Sequence, residues 1–479
     1  MQPHYWFLAE WSIRIGMAAI VVMRRRTPSA ALAWLVVISF VPVVGAAAYL
    51  LIGENRLGST RSRAYRAVVA RIRAAEGDRR RLRAAFHADR PEHHLALARL
   101  AEALGAGSAM SGGAPQLLTD AAAFGRVLVA DIDAARHHCH LLYFIFLADD
   151  HGVAVAQALT RAAQRGVACR LLVDGVGSRD FLASALRREI EQQGVVVVAA
   201  LPVNVLRATV ARLDLRNHRK LAIVDGGVAY VGSHNVANPV YPHKARFGAW
   251  VDASARLTGP VVNLLQEVFT QDWVFNGGEL AEPDAFLAVA AEGIEQGGVP
   301  VQVLPTGPAS KGGPLVDVLA QAIATARRKV VLTTPYFVPN EALLTSLRSA
   351  ALRGIEIELI VPRRSDHAVA QAAGRSHYGF LLDVGVAIHE YEGGLLHAKT
   401  LTVDDDLAMI GSANLDLRSF LLNFELAVLV YDRDFTAQMQ ALHRGYLTRC
   451  RRLSVDGWRR RGRLRQAGDN VAQLLSPLL

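Results

Sequence analysis

Two stretches of this 479-residue chain repeat one arrangement of reactive side chains. The first reads His218-x-Lys220-x4-Asp225, then six residues, then Gly232-Ser233-His234-Asn235. The second reads His397-x-Lys399-x4-Asp404, then six residues, then Gly411-Ser412-Ala413-Asn414. Only five of the 53 Lys+Arg are lysine (Lys220, Lys244, Lys311, Lys329, Lys399), so a pattern that insists on lysine is informative here. On composition, H-x-K-x4-D arises by chance roughly once per hundred chains of this length. Alternate residues of a strand share a face, so His218 points with Lys220 and His397 with Lys399. An imidazole beside an ammonium, with Ser and Asn donors on the adjoining turn, suits a phosphate oxyanion. Two such faces meeting across a pseudo-twofold would surround one phosphate with two His and two Lys. One imidazole would then attack and the other would act as general acid and base. The expected assignment is His218 as nucleophile and His397 as acid/base, beside Lys220 and Lys399, with Ser233, Asn235, Ser412 and Asn414 on phosphate oxygens.

Each imidazole needs a group to hold its tautomer. Asp252 (AWVDASARL) and Glu425 (NFELAVLV) occupy corresponding places after the two G-S-x-N turns and are expected to supply it. Asp225 and Asp404 complete the motifs and count with the catalytic set, yet each opens a strand-to-strand turn (DGG, DDD), and turn stabilisation suits them better than direct chemistry. His137, His138 and His140 lack a carboxylate or thiolate companion for a metal and are expected as solvated or loop residues, as are His93 and His94 at the surface. His234 is expected at the pocket rim. Arg418 and Ser419, just after the second turn, are candidates for a lipid headgroup contact or a structural role.

The elements that must position these residues also occur twice. LLYFIFL (141–147), a helix-like VAVAQALTRAAQRGV and a strand-like CRLLVDGV are matched by VVLTTPYFV (330–338), EALLTSLRSAALRGI and EIELIVP. Arg165-Gly166 and Arg353-Gly354 close the two helices, where glycine suits a C-terminal cap. Strands alternating with helices of this length predict an α/β body of two similar halves. The expected division is a membrane anchor at 1–53, a basic linker at 54–105, a first half at 106–285, a second at 286–450 and a basic amphipathic tail at 451–479.

Residues 30–52 are 23 consecutive residues without a charge, enough to cross a hydrocarbon core of about 30 Å as one helix. Residues 5–23 form a weaker candidate, with Glu10 and Arg14 at i and i+4. If both cross, Arg24, Arg25 and Arg26 lie on one side and the more basic stretch from Arg56 on the other, and the positive-inside tendency places the body in the cytoplasm; if only the second crosses, the argument reverses. The net charge of +10 is concentrated outside the enzyme-like body: residues 1–26, 56–83 and 451–465 carry +3, +8 and +6, which leaves the remainder near −7. That placement disfavours nucleic acid and favours an anionic lipid surface. The anchor, the arginine run and Trp458 with Arg459, Arg460 and Arg461 are expected on the same side as the pocket mouth. Apolar residues at 52% exclude general disorder, and Cys139, Cys169 and Cys450 cannot build a disulfide framework. Nothing in the sequence sets an oligomeric state.

HAKTLTVDDDLAMIGSANLDLRSFLLNFE and RNHRKLAIVDGGVAYVGSHN, with W-x-D at Trp250 and Asp252 and FTQDW at 269–273, resemble the phospholipase D superfamily and, more narrowly, its bacterial cardiolipin synthase branch. The resemblance covers nearly the whole chain. It implies two α/β/α sandwich halves related by a pseudo-twofold behind a helical membrane anchor in the bacterial inner membrane. It also implies transfer of a phosphatidyl group between two phosphatidylglycerol molecules through a phosphohistidine, with neither metal nor cofactor. GSHN stands where the branch often has a second glycine, and WVD where W-R-D is common. A hydrolase of phospholipid or nucleic acid is the alternative, and a silent membrane scaffold is disfavoured by two intact motifs.

Overall fold

The computed structural model describes residues 3–24, 28–53, 63, 65–70, 91–202, 214–279, 298–310 and 313–474. Most of the basic run at 56–83 and the expected boundary at 285/286 lie outside these residues.

Helix α1 spans Pro3–Met23, α2 Pro28–Phe40 and α3 Pro42–Ala48, followed by a π-helical turn at Tyr49–Gly53. The charge-free run is therefore not one spanning helix, contrary to expectation. Val41 leaves the helical region (φ −135°, ψ 73°) before Pro42, whose ring and missing N–H interrupt the ladder. The chain then folds back until the Trp34 and Tyr49 rings meet edge-on at 5.3 Å. Gly45 permits this approach, since a Cβ there would lie 3.0 Å from the Ile38 Cα and the Val37 carbonyl oxygen. At 1.5 Å per residue α2 reaches only about 20 Å, short of a bilayer core. Among the described residues the one helix long and apolar enough to cross is at Tyr5–Met23, where Glu10 and Arg14 pair at 2.8 Å.

In the body, the earlier strands are β1 (Met110–Gly112), β2 (Gln116–Leu118), β3 (His138–Tyr143), β4 (Ala168–Asp174), β5 (Val196–Ala200), β6 (Leu221–Val224), β7 (Val228–Gly232), β8 (Trp250–Val251) and β9 (Ser254–Thr258). The later strands are β10 (Val299–Thr306), β11 (Lys329–Thr333), β12 (Glu356–Pro362), β13 (Ala387–Tyr391), β14 (Leu395–Leu396), β15 (Thr400–Val403), β16 (Leu407–Gly411), β17 (Glu425–Val430) and β18 (Cys450–Arg452). One sheet runs β2-β9-β7-β6-β3-β4-β5 and the other β1-β10-β17-β16-β15-β11-β12-β13-β18. In each, a central strand (β3 or β11) pairs parallel to the next two along the sheet and antiparallel to the strand that follows the motif lysine. Helices Asp150–Gln164 and Glu341–Leu352 close on Arg165 and Arg353, with Gly166 and Gly354 at φ 88° and 86°. The duplicated α/β architecture read from the sequence is present.

The halves interlock. β1 forms an edge of the later sheet, β8 pairs with β14, and β18 extends that sheet past residue 450. Leu97, Ala98 and Ala101, expected in the linker, pack in the core of the later half. A shared core joins the sheets through helices Val261–Phe275 and Arg433–Leu447, with Phe269, Trp273, Phe435 and Met439 meeting Ile223, Val231, Ile410 and Val428. Of the histidines expected to be solvated, His137 is exposed and His93 partly so, whereas His138, His140 and His94 are buried. His138 and His140 lie inside, the latter against Gln266 at 3.1 Å and stacked on Phe269. His94 is buried with its Nε2 3.0 Å from Asp406 Oδ1, and His93 Nε2 lies 2.9 Å from Oδ2 of the same carboxylate.

Candidate active site

Both motif histidines emerge just before the strands β6 and β15, and each is stitched to a strand of the other half. His218 N–H donates to the Phe424 carbonyl (2.9 Å) and Phe424 N–H to the Arg216 carbonyl (2.9 Å), which sets Glu425 beside His218. His397 N–H and Ala398 N–H both donate to the Val251 carbonyl (2.8 and 2.9 Å), which sets Asp252 beside His397. The orienting carboxylates therefore cross the seam. His218 Nδ1 lies 3.0 and 2.9 Å from the Glu425 oxygens, and His397 Nδ1 2.5 Å from Asp252 Oδ1. A carboxylate can only accept, so each imidazole presents N–H at Nδ1 and leaves Nε2 for chemistry. Trp250 lies against His397 (4.3 Å between ring centres) and Phe144 edge-on to His218 (4.9 Å).

Lys220 Nζ turns back to the His218 carbonyl at 2.7 Å and Lys399 Nζ to the His397 carbonyl at 2.5 Å. All six side chains are buried. Burial pushes His218 down to about 4, with Glu425 opposing and Lys220 and Lys399 assisting. Burial and then Lys399 push His397 down to about 3, against the pull of Asp252. Lys220 falls to about 8 and Lys399 well below the usual lysine range, again through burial first. For Asp252 and Glu425 burial alone would raise the pKa, but the facing histidines and lysines outweigh it and hold both carboxyls low. Lys399 acts on His218 and Lys220 on His397, so the two motifs share one electrostatic site.

The expected phosphate donors are placed differently. Ser233 Oγ donates to Asp252 Oδ1 (2.6 Å) and Ser412 Oγ to Glu425 Oε2 (2.6 Å), while each hydroxyl oxygen takes a backbone N–H, from Ala253 and Leu426, at 3.0 Å. A hydroxyl has one proton, and both spend it on a carboxylate. Asn235 Oδ1 accepts from Ile145 N–H (3.1 Å) and its amide nitrogen lies 3.3 Å from the Tyr241 hydroxyl. Asn414 lies buried, its Oδ1 unpartnered. Asp225 and Asp404 do not reach the seam. Both end their strands at positive φ (51° and 49°), about 20 Å along the chain from the motif histidines at strand rise. Asp225 accepts N–H groups from Arg136, His137 and His138, each at 2.8 Å, and Asp404 from Arg327, Arg328 and Lys329 at 2.8–2.9 Å. His234 is buried rather than at the rim, stacked on Phe124 and 2.9 Å from Ser254 Oγ. Arg418 donates to Asp214 and Ser419 to Glu425 Oε1 (2.8 Å). Among the described residues one cluster has donor atoms close enough to share a cation, in which His93 and His94, on the helical turn Glu92–His94, face Asp406 of the turn after β15.

Arg219, inside the first motif, was not singled out by sequence. Its guanidinium is fully buried and spans the seam, donating to Asp272 Oδ1 (2.7 Å), to the Glu425 carbonyl (3.0 Å) and to the Thr306 carbonyl (3.0 Å). The available signal was its partner position, which in the second motif is Ala398.

The family described as "Cardiolipin synthase, PLD-like domain" matches residues 128–273 and again 319–444, and a phospholipase D-nuclease N-terminal family matches 15–54. The chain belongs to the cardiolipin synthase branch of the phospholipase D superfamily. It is 35% identical over 470 residues to cardiolipin synthase A of Erwinia tasmaniensis and to that of Yersinia pseudotuberculosis, covering 98% of this chain and 97% of each relative. The crystal structure of phosphatidylserine synthase from Haemophilus influenzae shares the fold, at TM-score 0.61 and 15% identity over 80% of this chain and all of that one. The protein is accordingly a membrane-associated phosphatidyltransferase of the cardiolipin synthase type.

Proposed function

We propose that the chain joins two phosphatidylglycerol molecules into cardiolipin and glycerol through a phosphohistidine on His218. The crossed pair of histidine–carboxylate dyads flanked by two lysines carries this reading. In the resting site both lysines face the buried carboxylates Asp252 and Glu425, and burial favours neutral imidazoles. A phosphodiester brings one negative charge, which favours a proton on one imidazole. Burial depresses His397 further than His218 in the resting site, but we place the proton on His397, because among the described residues the hydrogen bonds to Asp252 come from Ser233 and His397 alone, both at Oδ1. Glu425 is shared among His218, Ser412, Ser419 and Asn423.

His218 Nε2 attacks phosphorus, the bond to the headgroup glycerol oxygen breaks, and His397 Nε2–H protonates that oxygen. Glycerol leaves. The terminal hydroxyl of a second phosphatidylglycerol then gives its proton to His397 and attacks phosphorus, and the P–N bond breaks with its electron pair returning to His218. Lys220 and Lys399 stabilise the charge on the phosphoryl oxygens.

The host is read as the bacterial inner membrane with the body cytoplasmic. With α1 as the crossing helix and α2–α3 folded back, Arg24 at its end lies on the side of the body, and the excess of arginine in the sequence after α1 supports that orientation. Incubating the purified full-length protein with phosphatidylglycerol and separating the lipids tests the reaction. Cardiolipin and glycerol in equal amounts are expected. Phosphatidic acid as the sole lipid product would make the protein a hydrolase.

A further inference from the structure

The C-terminal helix Arg463–Leu474 is mounted with its apolar side outward. Leu464, Ala467, Val471 and Leu474 follow at i, i+3, i+7 and i+10 and make one stripe. Leu464 is 91% exposed, Leu474 72% and Val471 58%. At 100° per residue the buried Asp469 lies about 180° round the helix from the stripe and the buried Ala472 about 120°. A helix on the surface of a soluble body does the reverse, burying the leucines and exposing the aspartate. The inverted mounting is held by specific contacts. Asp469 accepts from Arg461 at 2.7 Å inside the protein, Arg461 lies over the Trp458 ring, and Ala472 packs with Ala373 and Val338.

Those contacts also lead to the active site. Val338 N–H donates to the Leu415 carbonyl (2.8 Å), next to Asn414 of the second G-S-x-N turn. Helix Ala368–Ser376, on which the C-terminal helix lies, follows directly on the loop where Asp366 accepts from the Tyr336 hydroxyl (2.6 Å). Its exposed Val369 adds to the outward apolar surface. Arg463 is exposed beside the stripe, Arg465 is exposed on the other side of the helix, and Arg459 and Arg460 precede it.

We propose that this stripe is a second membrane contact, in which Leu464, Val471 and Leu474 enter the interface of an anionic bilayer and Arg463 meets its headgroups. The occupant follows from the combination of an apolar stripe with flanking arginines in a chain already held at a membrane, and the proposal rests on that membrane association. Docking there turns the loops after the interior strands β11 and β16, which carry Tyr336 and Asn414, toward the lipid, so a headgroup reaches the seam while its acyl chains stay in the bilayer. Trp458, expected from sequence on the same side as the pocket mouth, packs against Tyr378 at 5.2 Å and serves the docking as part of the mount.

The test uses the full-length protein in nanodiscs of phosphatidylcholine with phosphatidylserine, carrying C450S and one nitroxide at a time on V471C, N470C or I15C. Oxygen accessibility should exceed that of a water-soluble nickel chelate at 471 and at 15 in α1, and the order should reverse at 470. A label at 471 as open to the chelate as in detergent, with 15 in lipid, overturns the proposal alone. A water-exposed 15 overturns the membrane reading beneath it. Dipolar broadening between labels at 471 on two copies would show a protein partner instead and also overturns it. In parallel, L464S/V471S/L474S should raise KM for vesicular phosphatidylglycerol about fivefold or more at near-constant kcat. L464M/V471I/L474M should restore it, and an unchanged KM in the serine variant contradicts the proposal.

Discussion

His218 and His397 occupy matching places in two copies of one strand-and-turn plan, but they are held by different means. His397 relies on two backbone bonds to Val251 and on an aspartate braced by one serine. His218 has a glutamate held by Ser412, Ser419 and Asn423, and behind it the charged clamp of Arg219 and Asp272. Duplication thus supplied two equivalent imidazoles, and the residues around them made the pair unequal. A nucleophile must be held still through a covalent cycle, whereas an acid/base must exchange its proton. The more heavily braced site suits the first task.

The largest effect expected from breaking this arrangement is at the lysines. K220R and K399R should each lower kcat about a hundredfold or more, because a guanidinium cannot fold back onto the histidine carbonyl in the space an ammonium occupies. Near-normal turnover in either would show that the position needs charge alone.

Arg219 sharpens the comparison directly. R219M should cost about 10- to 100-fold in kcat, and about 3–5 kcal/mol of stability because Asp272 is left buried and unpaired. R219M/D272L should recover stability more than activity. In double-mutant cycles the kcat loss of R219M should be less than additive with E425Q and additive with D252N, since the clamp acts on the Glu425 side of the seam. Equal coupling to both carboxylates would make Arg219 a general seam residue.

Much of this was legible in the sequence and some was not, for physical reasons. The twin motifs, the α/β repeat and the Arg-Gly helix ends are local patterns, and the helices do end at Gly166 and Gly354. Composition over residues 30–52 averaged across a break that one residue, Val41 before Pro42, imposes. The crossing of the carboxylates depends on contacts 207 and 145 residues apart in the chain, which spacing within a motif cannot reveal. Ser233 and Ser412 were recognised as donors, but their acceptor is chosen by the same long-range pairing. His138 and His140 read as polar yet sit on a central strand, where the sheet decides burial.

The histidines also give a pH signature. Both are held below the ordinary 6.5, at about 4 and about 3, so the unfolded chain binds more protons than the folded one between those values and 6.5. Their contribution to stability is complete above pH 6.5 and is lost as the pH falls through 4 to 3. Melting temperature should fall on acidification over that window, and less steeply in H397N; an equal slope would place the sensitivity elsewhere. The smallest expected effects are at Asp225 and Asp404. D225N and D404N should lower the melting temperature by a few degrees while activity per folded molecule stays within about threefold. A hundredfold loss would give these carboxylates a chemical role.

The unequal roles of the two histidines are tested most directly with a phosphatidyl ester of p-nitrophenol, whose leaving group needs no acid. H397N should release about one equivalent of p-nitrophenolate per enzyme in a burst and stall with the phosphatidyl group on His218, while H218N should give no burst. A burst from H218N with the label on His397 would contradict the assignment.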